Sequence, residues 1–132
     1  MKQTLLAELR ALGCEALDLG TGGTASVDYP DFADVVADAI AQGRADTGVL
    51  VCGTGIGISI GANRHRHIRA GVAHDVTSAR LMREHNDANV LALGARLIGP
   101  ETARDCLKVF LQTSFEGGRH QRRVDKLSPP QA

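Results

Sequence analysis

Along the chain, apolar positions alternate between a helical and an extended rhythm. Leu5, Leu6, Leu9 and Leu12 recur at helical spacing, and Gly13 stands where such a helix would stop. Residues 15–19, Glu-Ala-Leu-Asp-Leu, read as a short strand closed by Gly20 and followed by a Gly/Thr/Ser loop to Ser26. Pro30 suits the first turn of a second helix, whose stripe Phe32, Val35, Val36, Ala39 and Ile40 ends at Gly43. The apolar run 48–51 predicts a strand buried on both faces. A glycine loop with a short helix over 53–63, a strand over 68–73, a helix over 76–84 and a strand over 89–93 follow in turn. A last long helix begins near Pro100, with Ala103, Leu107, Phe110 and Leu111 facing inward, and residues 117–132 form a basic tail.

Strands alternating with helices predict one three-layer α/β/α domain over 1–132, Rossmann-like, with a parallel sheet covered on both faces. In such a domain ligands sit at the carboxyl ends of strands. That rule directs attention to 20–29, 52–57, 74–75 and 94–96. One irregularity stands at the front, because the first helix starts at Met1 with no strand before it.

Composition narrows the picture. Lys+Arg 15 balances Asp+Glu 15, so no net field favours nucleic acid or an acidic membrane. Aromatics are only 3%, which leaves an aliphatic core. No apolar run approaches the ~18 residues of a membrane span, and the start lacks signal-peptide order, so a soluble cytoplasmic protein is expected. Cys14, Cys52 and Cys106 are widely spaced without a CxxC pair, fitting a reducing compartment better than disulfides or structural zinc.

The sharpest chemical signal is the apolar strand running into Cys-Gly-Thr-Gly-Ile-Gly at 52–57. Alternating glycines expose backbone N–H groups to an anion, and the following helix N-terminus adds a favourable dipole. Neither the dinucleotide fingerprint nor the lysine of a P-loop is present. The same spacing would also serve a tight strand–helix turn. Cys52, at the strand end before those N–H groups, is placed to act as base or nucleophile, whereas Cys14 and Cys106 read as core. His85, ending a helix in a polar cluster, could supply a general acid or simply complement the helix dipole. His65 and His67, which flank Arg66 with Arg64 just before them, read as solvated surface rather than a metal site. Arg119, Arg122 and Arg123 with His120 would suit a phosphate clamp, or else a disordered tail.

Five ordered motifs are similar to those of the type B ribose-5-phosphate isomerases. They are Asp-Tyr-Pro-Asp-Phe at 28–32, Cys-Gly-Thr-Gly-Ile-Gly at 52–57, Arg-Glu-His-Asn-Asp-Ala-Asn-Val at 83–90, Gly-Ala-Arg-Leu-Ile-Gly at 94–99, and Phe-Glu-Gly-Gly-Arg-His at 115–120 with Arg123 beyond. The resemblance implies an aldose–ketose isomerase passing through an enediolate. Cys52 would be the base, Thr54 its neighbour, and Gly53, Gly55, Ile56 and Gly57 the backbone around the oxyanion. His85 would open the sugar ring, Asn86, Arg96, Arg119 and Arg123 would bind substrate and phosphate, and Tyr29 would wall the pocket. No metal and no organic cofactor is implied, and homodimers or tetramers with shared sites are.

Ribose 5-phosphate and ribulose 5-phosphate are the expected pair. The family's galactose- and allose-phosphate members make a six-carbon phosphosugar the alternative. By the same comparison a first strand and an Asp-His turn are missing, which leaves open a chain that binds sugar phosphate without turnover. A thiol hydrolase using Cys52 is the remaining enzyme reading.

Overall fold

The computed structural model describes residues 1–20 and 27–128. Its elements are α1 (Lys2–Ala11), α2 (Tyr29–Ala41), β1 (Gly48–Cys52), α3 (Ile56–Asn63), β2 (Ala70–Val72), α4 (Val76–Asn86), β3 (Val90–Gly94), α5 (Pro100–Gln112) and α6 (Arg119–Leu127). The three strands form one parallel sheet in the order β1-β3-β2.

The central strand β3 is buried along its whole length, and its alternation divides the core. Leu91 and Leu93 enter one cluster with Leu5, Met82, Ala103, Cys106, Leu107 and Phe110, beneath α1, α4 and α5. Val90 and Ala92 enter the other with Ala33, Ala37, Leu50, Ile58, Ala62 and Ile68, beneath α2 and α3. A parallel strand buried on both faces explains why 90–93 reads as an unbroken apolar run.

Several expectations change. Residues 15–19 form no strand: no described strand lies beside them, and an extended segment without a ladder partner is not held as sheet. The segment is tied instead through Asp18, whose carboxylate lies 3.4 Å from Lys2 Nζ and accepts the Gly20 N–H. That donor holds the Asp18 carboxyl below its ordinary range. Of the 20–29 loop, residues 21–26 lie outside the described residues.

On α2 the inward face is Ala33 and Ala37 with Val36 and Ile40, while Val35 is exposed. Small residues win there because α2 packs closely along α3, where Cβ-sized groups set the approach. Cys14 is half-buried rather than core, whereas Cys106 is fully buried, and burial pushes its thiol up to about 11. The basic tail is a helix over most of its length: α6 lays His120 and Val124 against α4 and keeps its charged residues outward.

At β2 the free edge is occupied by a side chain. Asn63 Nδ2 donates to the Ala70 carbonyl at 2.9 Å, and the Ala70 N–H donates to Asn63 Oδ1 at 2.7 Å.

Candidate functional site

The carboxyl ends of β1 and β3 lie side by side, with Cys52 in register with Gly94. Beyond them the chain is laced twice. The Ala95 N–H donates to the Cys52 carbonyl and the Arg96 N–H to the Gly53 carbonyl, both at 2.9 Å. The loop from β1 then turns on Gly55, whose φ of +78° is a conformation that side chains resist. Gly94 permits the close approach of this loop, because a Cβ there would stand 2.6 Å from the Thr54 carbonyl carbon and oxygen.

This turn aims backbone donors at the strand end. The Gly55 N–H donates to Cys52 Sγ at 3.2 Å, a contact that strengthens if the sulfur carries charge. The Ile56 N–H donates to Thr54 Oγ1 at 3.1 Å, holding the hydroxyl beside the N-terminus of α3. Arg96 packs its stem over Gly53, and the Tyr29 ring lies over Gly57, 2.6 Å from where a Cβ would stand. Cys52, Gly53, Thr54, Gly55, Ile56, Gly57, Arg96 and Tyr29 are thus gathered at one end of the sheet.

The remaining predicted residues gather elsewhere. Helix α4 starts after β2, where the Asp75 carboxylate accepts the Ser78 N–H at 2.7 Å, and it runs back to the amino end of β3. His85 and Asn86 therefore close α4 at the opposite end of the sheet from Cys52. Four strand steps of about 3.3 Å separate the ends of β1, so the two groups stand on the order of 13 Å or more apart within one chain.

At this second end His85 stacks on His120, ring centroids 4.4 Å apart and planes 18° from parallel. His85 Nε2 lies 3.6 Å from Glu116 Oε1. The Glu116 N–H donates to the Glu84 carbonyl at 3.1 Å, pinning the loop before α6 onto α4. Burial, and then the neighbouring His85, push the His120 imidazole below its ordinary pKa. Arg119 and Arg123 are exposed one helical turn apart on α6. A groove of about 300 Å³, lined by Asn63, Arg69, Gly71, Met82, Asn86 and Leu127, opens beside Asn86.

Sequence reasoning gave Glu116 no role of its own and set His120 in a phosphate clamp or a disordered tail rather than on a packed helix. The signal available was the helical spacing of His120 and Val124, hidden among arginines. It also missed the anchoring arginines. Arg83 reaches Asp87, the Ala88 carbonyl and the Thr113 carbonyl, while Arg69 reaches the Asn86 and Asp87 carbonyls and Ser128 Oγ. His65 and His67 are half-buried rather than solvated: each ring nitrogen lies 2.7 Å from an oxygen of α2, in Asp34 and in Ala37.

A parallel α/β/α layer with a cysteine and a glycine turn at the carboxyl ends of two strands is the architecture of an α/β enzyme that takes a small ligand there. Comparison with known proteins gives that class its family. Residues 1–127 match the Ribose/Galactose Isomerase family, and the chain belongs to it and is an aldose–ketose isomerase. Ribose-5-phosphate isomerase B of Escherichia coli is 46% identical over 128 residues, 97% of this chain and 86% of that protein. D-erythrulose-4-phosphate isomerase of Pectobacterium atrosepticum is 41% identical over 128 residues, 96% of this chain and 84% of that protein. Among solved structures, ribose-5-phosphate isomerase B of Clostridium thermocellum superposes with a TM-score of 0.94 at 48% identity, covering 96% of this chain and 86% of that one.

Proposed function

We propose that the chain interconverts ribose 5-phosphate and ribulose 5-phosphate with Cys52 as base, in a site that two copies complete together. The observation that carries the reading is the Gly55 N–H donated to Cys52 Sγ at 3.2 Å, at the carboxyl ends of two paired strands. The backbone donor fixes the sulfur at the strand end, where a cysteine can take a carbon-bound proton from a substrate seated there. In the open-chain aldose, Cys52 removes the C2 proton and electrons shift toward the C1 oxygen, giving the enediolate. The proton returns to C1, the C2 oxygen becomes the ketone, and the hydroxyl proton passes to the C1 oxygen. In this reading the N–H groups of 53–57 that are not engaged on Cys52 or Thr54 are the donors for the developing oxyanion, and such donors contribute roughly 3 kcal/mol each.

His85, beside Glu116, donates a proton to the ring oxygen as the anomeric hydroxyl loses one, and Arg119 with Arg123 hold the phosphate. Within one chain His85 lies at the far end of the sheet from Cys52. The reading therefore takes Cys52, Thr54, Tyr29 and Arg96 from one copy and His85, Asn86, Arg119 and Arg123 from the other. Exposed apolar side chains near the Cys52 end, Ile56, Ile60, Val76 and Leu97, supply a surface for that second copy.

The test is ribulose 5-phosphate formation by the purified chain, with Cys52→Ala as control. Turnover lost in the control supports the reading, and near-normal kcat in the control defeats it. The relative named for D-erythrulose 4-phosphate favours a second reading on sugar length. Comparing kcat/KM for four-, five- and six-carbon phosphosugars decides it.

A further inference from the structure

Three ligand-type side chains from three separate segments meet at the end of α4. His85 comes from its last turn, Glu116 from the loop after α5, and His120 from the first turn of α6. One ligand atom from each lies within 4.8 Å of the others. The loop is fixed by the Glu116 N–H on Glu84, and the stacking of the two rings holds their nitrogens close together, with one ring having to turn out of the stack for both lone pairs to meet at one ion.

We propose that His85, Glu116 and His120 form a site for a divalent transition-metal ion of the zinc type, and that its occupancy switches off the isomerase by engaging His85. Two imidazoles and a carboxylate suit zinc, cobalt or nickel rather than magnesium or calcium, which take all-oxygen shells. A tetrahedral ion with bonds near 2.0–2.1 Å needs its donors about 3.4 Å apart. His85 Nε2 and Glu116 Oε1 already stand at 3.6 Å, and the widest pair within 4.8 Å closes by a ring rotation on the order of 1 Å. Glu116 and His85 are partly exposed, which leaves the fourth position to water. Arg119 and Arg123 lie nearby and oppose a cation, so the Glu116 carboxylate is the group that makes the site tolerable to one.

The inhibitory half of this proposal rests on the role given to His85 under the proposed function, but the binding half does not. The intact chain is titrated with cobalt(II) at slightly alkaline pH, following visible absorption, with Glu116→Gln and His120→Asn alongside. Expected are saturation at one ion per chain and a loss of at least about tenfold in affinity in each variant, as for weakened metal sites generally. No saturable uptake, uptake unchanged in both variants, or a sulfur-to-cobalt charge-transfer band would each overturn the site.

In the same samples ribose 5-phosphate turnover falls with cobalt occupancy and returns with a chelator, and Glu116→Gln resists inhibition at least about tenfold further. Full activity at saturating cobalt overturns the switch. Cobalt uptake as expected in a chain that never turns over ribose 5-phosphate upholds the metal site and rejects the proposed reaction on that substrate instead.

Discussion

Gly94 lies against Thr54 so closely that a methyl group on Gly94 would stand 2.6 Å from the Thr54 carbonyl. The two backbones meet where β3 ends and the Cys52 loop begins, so the loop's position is set by the absence of a side chain one strand away. Gly94→Ala must push Thr54 aside. The expected cost is about 1–3 kcal/mol in stability, the range for overpacking, with a larger loss in kcat than in KM. Denaturant unfolding alongside steady-state kinetics measures both.

Cys52→Ala removes the proposed base and leaves the proposed anion cradle. A general base contributes roughly 10²–10⁴-fold, so kcat should fall by that order while substrate affinity, read by calorimetry, stays within a few-fold.

The separation of His85 from Cys52 makes a mixing experiment decisive for the proposed two-copy site. Cys52→Ala and His85→Ala are each expected to be inactive alone. If chains pair at random as dimers and exchange, half the dimers are mixed and each carries one intact site, restoring about a quarter of the wild-type rate. A mixture as inactive as its parts would place both groups in a single-chain site or show that copies do not exchange, and size analysis of a tagged mixture separates the two outcomes.

The three cysteines should differ in reactivity. Burial holds the Cys106 thiol up to about 11, so at neutral pH it remains protonated as well as inaccessible. Iodoacetamide at neutral pH should label the half-buried Cys14 and Cys52 and reach Cys106 only after unfolding. Peptide mass spectrometry before and after denaturant reads this directly.

Asp75 caps α4 through the Ser78 N–H, and that donor together with the Ser78 hydroxyl holds its carboxyl below the ordinary value of 3.8. A carboxyl depressed by folding adds stability above its unfolded pKa and loses it as pH falls through the lower folded value. Asp75→Asn should therefore lower Tm near neutral pH, with the gap to wild type narrowing below about pH 4. A constant gap across that window would remove the charge from the capping argument.

How much of this could be read beforehand follows from the kind of information each residue carries. The run at 90–94 is legible because a strand buried on both faces must be apolar throughout; the run at 48–52, read the same way, is instead an edge strand of the described sheet with Val49 and Val51 half-buried, and the Cys52 loop is legible because only glycine tolerates its turn. Residues 15–19 have strand-like composition, yet strand formation is decided by a neighbour and not by the segment itself. On α2, reading Val35 as inward followed size, whereas the tight approach to α3 selected Ala33 and Ala37. For α6, three arginines masked the one-turn spacing of His120 and Val124. The division of site residues between two ends of the sheet was legible in outline, since the resemblance implies shared sites and a helix joining parallel strands must end at the amino end of the next, but the side chains that meet there were not.

The paired hydrogen bonds between the Asn63 amide and Ala70 set the width of the sheet on that flank. A strand arriving from another molecule would need the same N–H and carbonyl, and both are already engaged by a side chain that cannot propagate a ladder. Asn63 therefore works as a terminator, protecting against the edge-to-edge pairing that seeds aggregation. Replacing it with a residue lacking both a donor and an acceptor would turn a finished margin into a template.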